Sequence, residues 1–287
     1  MTGMTGEKTV LITGTSSGIG LAAAVAAAQA GWHVVATMRD LSRGDALREA
    51  ATTAGVDESV EVRRLDVTDV ASVTACIERV VADHGRLDAL VNNAGAGHLG
   101  TIERDSVEDV RAVMEVNFFG VVQTTRLVLP HLRAAGGRLV TVSSVGGVVG
   151  QPFNEAYCAA KFAVEGFMEA LAPVVARFGV RITVVEPGPV SSEFVNNIGL
   201  DVERLSEAAG PYRPALDAYL SRLEDIFATA QTPAEAATPV IQALTAAEPP
   251  LRMQTSAWAR DFVSGKLADV DGTGVLAMTG EWVTGEG

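Results

Sequence analysis

Tyr157 and Lys161 stand four residues apart in the run Tyr157-Cys158-Ala159-Ala160-Lys161, and positions four apart on a helix share a face. An ammonium beside a phenol favours the phenolate, so the spacing predicts a Tyr157 hydroxyl more acidic than an ordinary phenol, whose pKa is about 10. Such a group exchanges protons with an alcohol or ketone oxygen near neutral pH. A tyrosine and a lysine at this spacing also recur by chance in amphipathic helices, so the pair carries an argument only in company. Its company is a glycine turn far upstream, Thr13-Gly14-Thr15-Ser16-Ser17-Gly18-Ile19-Gly20. Gly14 suits a tight turn, Gly18 lets backbone approach a pyrophosphate, Gly20 permits close contact between helix and sheet, and the helix N-terminus aims its N–H groups at phosphates. A dinucleotide turn joined to a proton-exchanging phenol implies redox chemistry at an alcohol or carbonyl carbon.

The elements that must position these residues follow from the apolar pattern. Lys8 to Thr13 is a short β-branched run and reads as a buried strand; Leu21 to Ala30 is an alanine-rich helix closed by Gly31. Strands are predicted at His33–Thr37, Val60–Leu65, Leu87–Val91, Arg138–Val142, Val180–Val185 and Leu251–Thr255. Helices are predicted at Gly44–Ala54, from the Asp69 cap to Asp83, over Val107–Ala135 with Gly136-Gly137 as its end, over Glu155–Phe178 with Gly179 as its stop, and at Trp258–Leu267. Residues 191–230 read as a flap of short helices and turns, and the glycine-rich tail 271–287 gives no element. Strands alternating with helices, under the right-handed crossover rule, make an α/β fold: a doubly wound, Rossmann-type parallel sheet of about seven strands flanked by helices. Its ligand crevice lies outside the carboxyl ends of the strands. Six strand ends carry turn or polar chemistry there: the glycine turn, Arg39, Asp66, Asn92-Asn93, Ser143-Ser144 and Glu186-Pro187-Gly188. No Pro/Gly/Ser linker divides the chain, so residues 1–287 read as one domain.

Composition narrows the partners. A net charge of −13 disfavours nucleic acid and anionic membrane surfaces, and 48% hydrophobic residues suffice for a buried core. Cys76 and Cys158 fall in different predicted helices and read as reduced thiols, and Cys158 has no histidine placed to activate it. His33, His84, His98 and His131 are scattered without metal-ligand spacing, so no metal is expected. The polar N-terminal residues 1–7 read as mobile, with neither an apolar signal core nor a membrane span, and a cytoplasmic protein is expected.

In order along the chain, Thr13 to Gly20, Asp66-Val67, Asn92-Asn93-Ala94-Gly95, Asn117, Ser144, Tyr157 with Lys161, and Pro187-Gly188 resemble the motif series of the short-chain dehydrogenase/reductase family, over about Lys8 to Asn197. Finer runs, Ser144-Val145-Gly146-Gly147, Pro152-Phe153-Asn154 and Lys161-Phe162-Ala163-Val164-Glu165-Gly166, look like the branch containing 17-beta-hydroxysteroid dehydrogenase type 1 and retinol dehydrogenases. The resemblance implies that Ser144 positions a substrate oxygen, Tyr157 exchanges its proton, Lys161 also binds the nicotinamide ribose, and Asn117 anchors a relay water. Asn117 is also readable as a helix kink or cap residue. The resemblance further implies dinucleotide contacts from Gly14, Ser16, Ser17, Gly18, Ile19 and Gly20. Asp66 and Val67 would hold adenine, Asn93-Ala94-Gly95 would pass the ribose, and Pro187, Gly188, Val190 and Ser192 would hold the nicotinamide side. Asp66 could instead simply start a helix.

At the end of strand two, where a carboxylate would bind a ribose diol, the chain has Met38-Arg39. The Arg39 fork suits a 2′-phosphate, with Ser17 adding a hydroxyl, so NADP(H) is favoured and NAD(H) stays possible. An Arg39–Asp40 surface pair, with Asp40 competing for the ribose, is the alternative. Phe194, Val195, Ile198, Leu200, Tyr212, Leu216, Tyr219 and Leu220 of the flap, with Val148, Val149, Phe153, His98 and Leu99, would line a pocket for a bulky apolar ketone, aldehyde or alcohol. Pro214 falls near the position where the steroid enzyme grips the far end of its substrate with a histidine, so steroid specificity does not carry over. The family's dimer and tetramer helices correspond to Val107–Ala135 and Glu155–Phe178, implying a homodimer or homotetramer. A cofactor-sensing protein without catalysis, or an epimerase or dehydratase on the same scaffold, are the other readings.

Overall fold

The computed structural model describes residues 7–192, 205–207 and 209–284. Seven parallel strands form one sheet in the order β3-β2-β1-β4-β5-β6-β7: β1 Thr9–Thr13, β2 His33–Met38, β3 Val60–Arg64, β4 Ala89–Asn92, β5 Arg138–Val142, β6 Arg181–Glu186 and β7 Arg252–Gln254. The register runs Val10 against Val34 on one side and Ala89 on the other. Because side chains alternate along a strand, Leu11, Val35, Leu90 and Leu139 enter one apolar cluster, and Val10, Ile12, Val34, Val91 and Val140 enter the other. Both faces being covered, β1 is buried at every position and reads as a continuous apolar run rather than an alternating one.

One face is covered by α1 Gly18–Gln29, α2 Asp45–Thr53 and α8 Pro233–Thr245. The other carries α3 Val70–His84, α5 Gly120–Ala135 and α6 Glu155–Ala176. Asp69 caps α3 through its carboxylate, accepting from the Ala71 and Ser72 N–H groups, and Gly85, at φ 70°, ends it. The sequence reading named no element over α8, although Thr232 and Glu235 form a capping box with Pro233 at its first turn.

The helix expected over Val107–Ala135 is observed as α4 Val107–Met114 and α5, joined by a π turn at Glu115–Phe119. The 191–230 flap includes a full helix, α7 Arg213–Ala228, where short helices and turns were expected. After α9 Ala257–Ala268, a further helix, α10 Thr273–Thr284, forms in the stretch read as a tail, and it packs against α7. Met1 to Gly6 and the flap residues Phe194, Val195, Ile198 and Leu200 lie outside the described residues. Among the described residues no helix is long and apolar enough to cross a membrane.

Candidate active site

A crevice of about 650 Å³ opens at the carboxyl ends of the strands, and the glycine turn, Arg39, Asp66, Val67, Asn93 to Gly95, Ser144, Tyr157, Lys161, Pro187, Gly188, Val190 and Ser192 all line it. Gly14 and Ser192, 178 positions apart in sequence, therefore share one cavity.

The glycine turn is held by backbone. The Gly14 and Thr15 N–H groups donate to the Thr37 carbonyl at 2.9 and 3.0 Å. Asn93 Nδ2 donates to the carbonyls of Thr13 and Gly14, both at 2.9 Å, and the Asn93 and Ala94 N–H groups donate to Thr13 Oγ1 at 3.0 Å. The Asn93 side chain thus clamps the turn. A Cβ on Gly20 would lie 2.2 Å from the Gly14 carbonyl oxygen and 2.3 Å from Asn93 Nδ2, and one on Gly14, at φ 72°, 2.7 Å from Ala94 Cα. Only glycine fits either position without shifting backbone. Ser17, the residue before α1, makes no side-chain cap, which leaves the first N–H groups of the helix to an anion.

At the end of β2, Arg39, Asp40 and Arg43 line the crevice. Asp40 accepts from Ser42 N at 3.0 Å and Ser42 Oγ at 2.7 Å, so its carboxylate starts the turn Leu41–Arg43. Among the described residues no ion pair joins it to Arg39. The hydrogen bonds from Ser42 hold the Asp40 carboxyl below the ordinary range. Asp66 is half-buried; burial works against its charge, but hydrogen bonds from Thr68, with Arg39 and Arg64 nearby, leave its carboxyl below the ordinary range. Arg43 was missed by the sequence reading; a second basic residue four positions past Arg39 was the available signal.

On the other side, Tyr157 and Lys161 share a face of α6 as expected. Lys161 Nζ lies 5.7 Å from the Tyr157 ring centre and donates to the Val142 carbonyl at 3.1 Å. The Tyr157 and Ser144 hydroxyls are hydrogen-bonded to each other, and Ser144 Oγ also accepts from Gly146 N at 3.0 Å. One expectation is corrected. Desolvation pushes the Tyr157 phenol up to about 12, with Ser144 opposing. Lys161, buried to 6% exposure, is pushed down to about 8 by the same desolvation, with Glu165 opposing. Removal from water is the largest cause of both shifts.

Asn117 is fully buried within the π turn. Its Nδ2 donates to the carbonyls of Ala96 at 2.8 Å and Val113 at 3.0 Å, and its Oδ1 accepts from Ala96 N at 3.2 Å. A Cβ on Gly95 would lie 2.9 Å from Asn117 Oδ1 and 3.7 Å from Lys161 Nζ, so the three converge. Asn117 is at once the kink residue and a neighbour of Lys161; the π turn breaks the helical ladder at the crevice.

The substrate wall differs from expectation. His98, Leu99, Tyr219, Leu223, Ile226, Phe227, Trp258 and Trp282 line the crevice. Val148, Val149 and Phe153 do not: Val149 and Phe153 are buried behind it, and the Phe153 ring supports Tyr219 at 5.6 Å. Phe153 is the one non-glycine described residue with positive φ, 60°. Trp282 stacks on Tyr219 at 6.2 Å and on Phe262 at 5.7 Å, and Trp258 stacks on Phe262 at 5.0 Å. Trp258 and Trp282 were not foreseen as lining residues: the first opens a predicted helix and the second lies in the tail that gives no element, and neither position tells where the ring packs.

The two thiols stay inert, since burial pushes Cys76 and Cys158 each up to about 11. His33, Glu61 and His84 form one cluster with metal-ligand dimensions among the described residues, at the edge of the sheet away from the crevice. The cation there is Arg63, whose guanidinium bonds Glu61 Oε2 at 2.8 Å and lies 3.5 Å from His84 Nε2.

The short chain dehydrogenase family model matches residues 8–203. Retinol dehydrogenase 8 of Bos taurus is 39% identical over 275 residues, 93% of this chain and 87% of that protein. Human 17-beta-hydroxysteroid dehydrogenase type 1 is 38% identical over 284 residues, 96% and 86% of the two chains. A crystal structure of a short-chain dehydrogenase from Streptomyces avermitilis superposes with a TM-score of 0.76 at 32% identity, covering 100% of both chains. The shared sheet, the crevice at its strand ends and this similarity over almost the full length make the chain a member of the short-chain dehydrogenase/reductase family, an oxidoreductase acting on CH–OH groups with a nicotinamide dinucleotide.

Proposed function

We propose that the protein is an NADP(H)-dependent oxidoreductase that interconverts a bulky, largely apolar ketone or aldehyde and its alcohol. The observation that carries this reading is the pair of hydrogen-bonded hydroxyls of Ser144 and Tyr157, in the same crevice as the uncapped α1 N-terminus and beneath an aromatic wall. The residues present fit the dinucleotide: Gly14 and Gly20 admit backbone-close contact, and Arg39 and Arg43, which line the crevice just past β2, would hold a 2′-phosphate, with Asp40 turned into its own cap. When bound, the nicotinamide supplies or takes the hydride and, oxidised, brings a positive ring.

The chain's own residues do the rest. The Ser144 hydroxyl donates to the substrate oxygen and fixes it beside Tyr157 Oη, which hands over its proton as negative charge grows on that oxygen. Lys161, an ammonium below pH of about 8, offsets the phenolate left behind. Asn117 keeps the Ala96 loop and the π turn in register behind Lys161, as an anchor for the water through which the proton is replaced. The exposed Trp258 edge, Trp282, Leu223, Ile226 and Phe227 favour an apolar substrate by burial of its surface.

Tyr157→Phe tests this reading against a panel of ketones and aldehydes graded by size. Turnover should fall by on the order of a hundred- to ten-thousandfold, while NADPH binding, read by quenching of tryptophan fluorescence, stays as in the wild type. Retained turnover in the variant would remove Tyr157 as the proton donor. Saturable NADPH binding without oxidation by any carbonyl in the wild type would favour the cofactor-sensing reading instead, and product formation with no net change in NADPH absorbance would favour the epimerase.

The assembly is proposed as a homodimer or homotetramer through α4, α5 and α6, where Val107, Phe119, Phe162 and Val174 stand exposed. Light scattering should give a multiple of 29.8 kDa; a species of that mass alone would refute the association.

A further inference from the structure

Behind Lys161, away from the substrate, the structure holds a group of buried charges that the reaction as described does not use. Glu165 lies one turn along α6 and is 5% exposed; Glu186, at the end of β6, is 1% exposed. Arg252 of β7 reaches both: its Nε is 3.0 Å from Glu165 Oε2 and 3.4 Å from Glu186 Oε1. The same guanidinium pairs with the more exposed Glu169, and Gln254 Nε2 donates to Glu186 Oε2 at 2.8 Å. Two carboxylates and one guanidinium thus share a dry space, in which the second oxygen of Glu165 has at most a marginal contact with the Ser143 hydroxyl. A buried carboxylate that is only half satisfied is retained at a cost of several kcal/mol unless another charge offsets it. One turn before Glu165 on the same helix stands the Lys161 ammonium, itself buried, which donates to the Val142 carbonyl.

We propose that Glu165, held by Arg252, is a positioning residue that supplies the buried counter-charge keeping Lys161 an ammonium, so that the β6–β7 edge sets the charge state of the hydride-transfer site. On its own helix Glu165 has Lys161 one turn before it and Glu169 one turn after it; from the sheet it is approached by Ser143 at the end of β5, Glu186 of β6 and Arg252 of β7. Their effects oppose one another. Desolvation and the Glu186 charge push the Glu165 carboxyl up to about 7, while Arg252 pulls it down. Desolvation pushes Lys161 down to about 8, while Glu165 pulls it up. The charge on Glu165 therefore bears on Lys161 close to neutral pH. Glu186 acts on Lys161 with the opposite sign to Glu165: by disfavouring ionised Glu165, it weakens the counter-charge.

The proposal rests on the carbonyl-reductase reading for its consequence but not for its test. The chain contains three lysines, Lys8, Lys161 and Lys266, so the 13Cε resonance of Lys161 can be assigned and titrated in the intact protein. In Glu165→Gln, which keeps the shape of the side chain, the Lys161 midpoint should fall by about one pH unit. In Glu186→Gln it should rise, because Glu165 then stays ionised to lower pH. The alkaline limb of the pH profile for carbonyl reduction should move with the midpoint in each variant. An unchanged Lys161 midpoint in Glu165→Gln overturns the proposal, and so does a shift of the same sign in both variants, which is what mere loosening of the packing would give. If Glu165→Gln fails to fold, the sign of the Glu186→Gln shift decides alone. Retained turnover in Tyr157→Phe would instead overturn the functional reading and leave the Lys161 titration standing.

Discussion

The two halves of the crevice are built from different materials. On the side of β1 to β4, backbone meets backbone: the Gly14 and Thr15 N–H groups bond the Thr37 carbonyl, Asn93 ties the turn, and the carboxyls of Asp40 and Asp66 are held below their ordinary range by short hydrogen bonds from Ser42 and Thr68. On the side of β5 to β7, side chains meet side chains: stacked rings of Tyr219, Trp282, Phe262 and Trp258 form the wall, and the carboxyls of Glu165 and Glu186 are pushed above their ordinary range by burial. The first arrangement tolerates no change of shape, which suits a ligand that never varies. The second can be altered one side chain at a time, which suits a substrate that differs among relatives acting on retinol and on steroids.

If the halves are independent, each should be damaged without the other. The largest separation is expected from Arg39→Ala. Losing one charge-assisted contact with a phosphate costs about 1.5–3 kcal/mol, so NADPH should bind on the order of ten- to a hundredfold more weakly. NADH binding and the KM for the carbonyl should hold. Equal weakening of both cofactors, or of neither, would return Arg39 to the surface role that the sequence left open. Trp282→Ala is the converse experiment. It removes apolar surface from the substrate wall and should raise KM for a bulky ketone about tenfold, with NADPH affinity unchanged and small aldehydes little affected. Because Trp282 is 4% exposed and also carries the Arg222 guanidinium 5.2 Å over its ring, its circular dichroism spectrum must match the wild type for the KM to be read. A drop in NADPH affinity in this variant would mean that the aromatic wall also braces the dinucleotide, and the comparison would lose its basis.

The same contrast explains what the sequence revealed. The cofactor side was legible because its constraints are local and fall on residue types with few substitutes: a Cβ at Gly20 has nowhere to go, and the strands and their polar ends repeat at regular intervals. For Asn93 the sequence suggests only a backbone beside the ribose; its side-chain clamp on Gly14 spans 79 positions and leaves no local trace. On the substrate side the legible part was Tyr157 with Lys161. The wall was not, because Trp258 and Trp282 owe their positions to packing between α7, α9 and α10, where hydrophobic periodicity is weak. Helix α8 was readable after the fact from the Thr232–Glu235 capping box. The direction of the Tyr157 shift was not readable at all: spacing places the ammonium near the phenol, but only the packed structure tells how far each is removed from water.

The smallest effect sharpens the comparison in a property that needs no ligand. Glu165 titrates at about 7 in the folded protein against 4.5 ordinarily. Between those values the folded chain keeps a proton that the unfolded chain has released, so the contribution of this group is fully present below pH of about 4.5 and is lost as pH rises through 7. Lys161, at about 8 against 10.5, has the opposite sense: between those values the unfolded chain holds the extra proton, so its contribution is present above 10.5 and is lost as pH falls through 8. The wild type should therefore lose stability relative to Glu165→Gln as pH rises from 4.5 to 7, read from urea midpoints in a pH series. No corresponding gap should open over that window for Asp66→Asn: the Asp66 carboxyl is shifted downward from 3.8, so its contribution is already in place above that value and is lost only on further acidification. A parallel pair of curves for wild type and Glu165→Gln would mean that Glu165 is ionised throughout, and the buried charges behind Lys161 would then be a fixed ion pair rather than a titrating one.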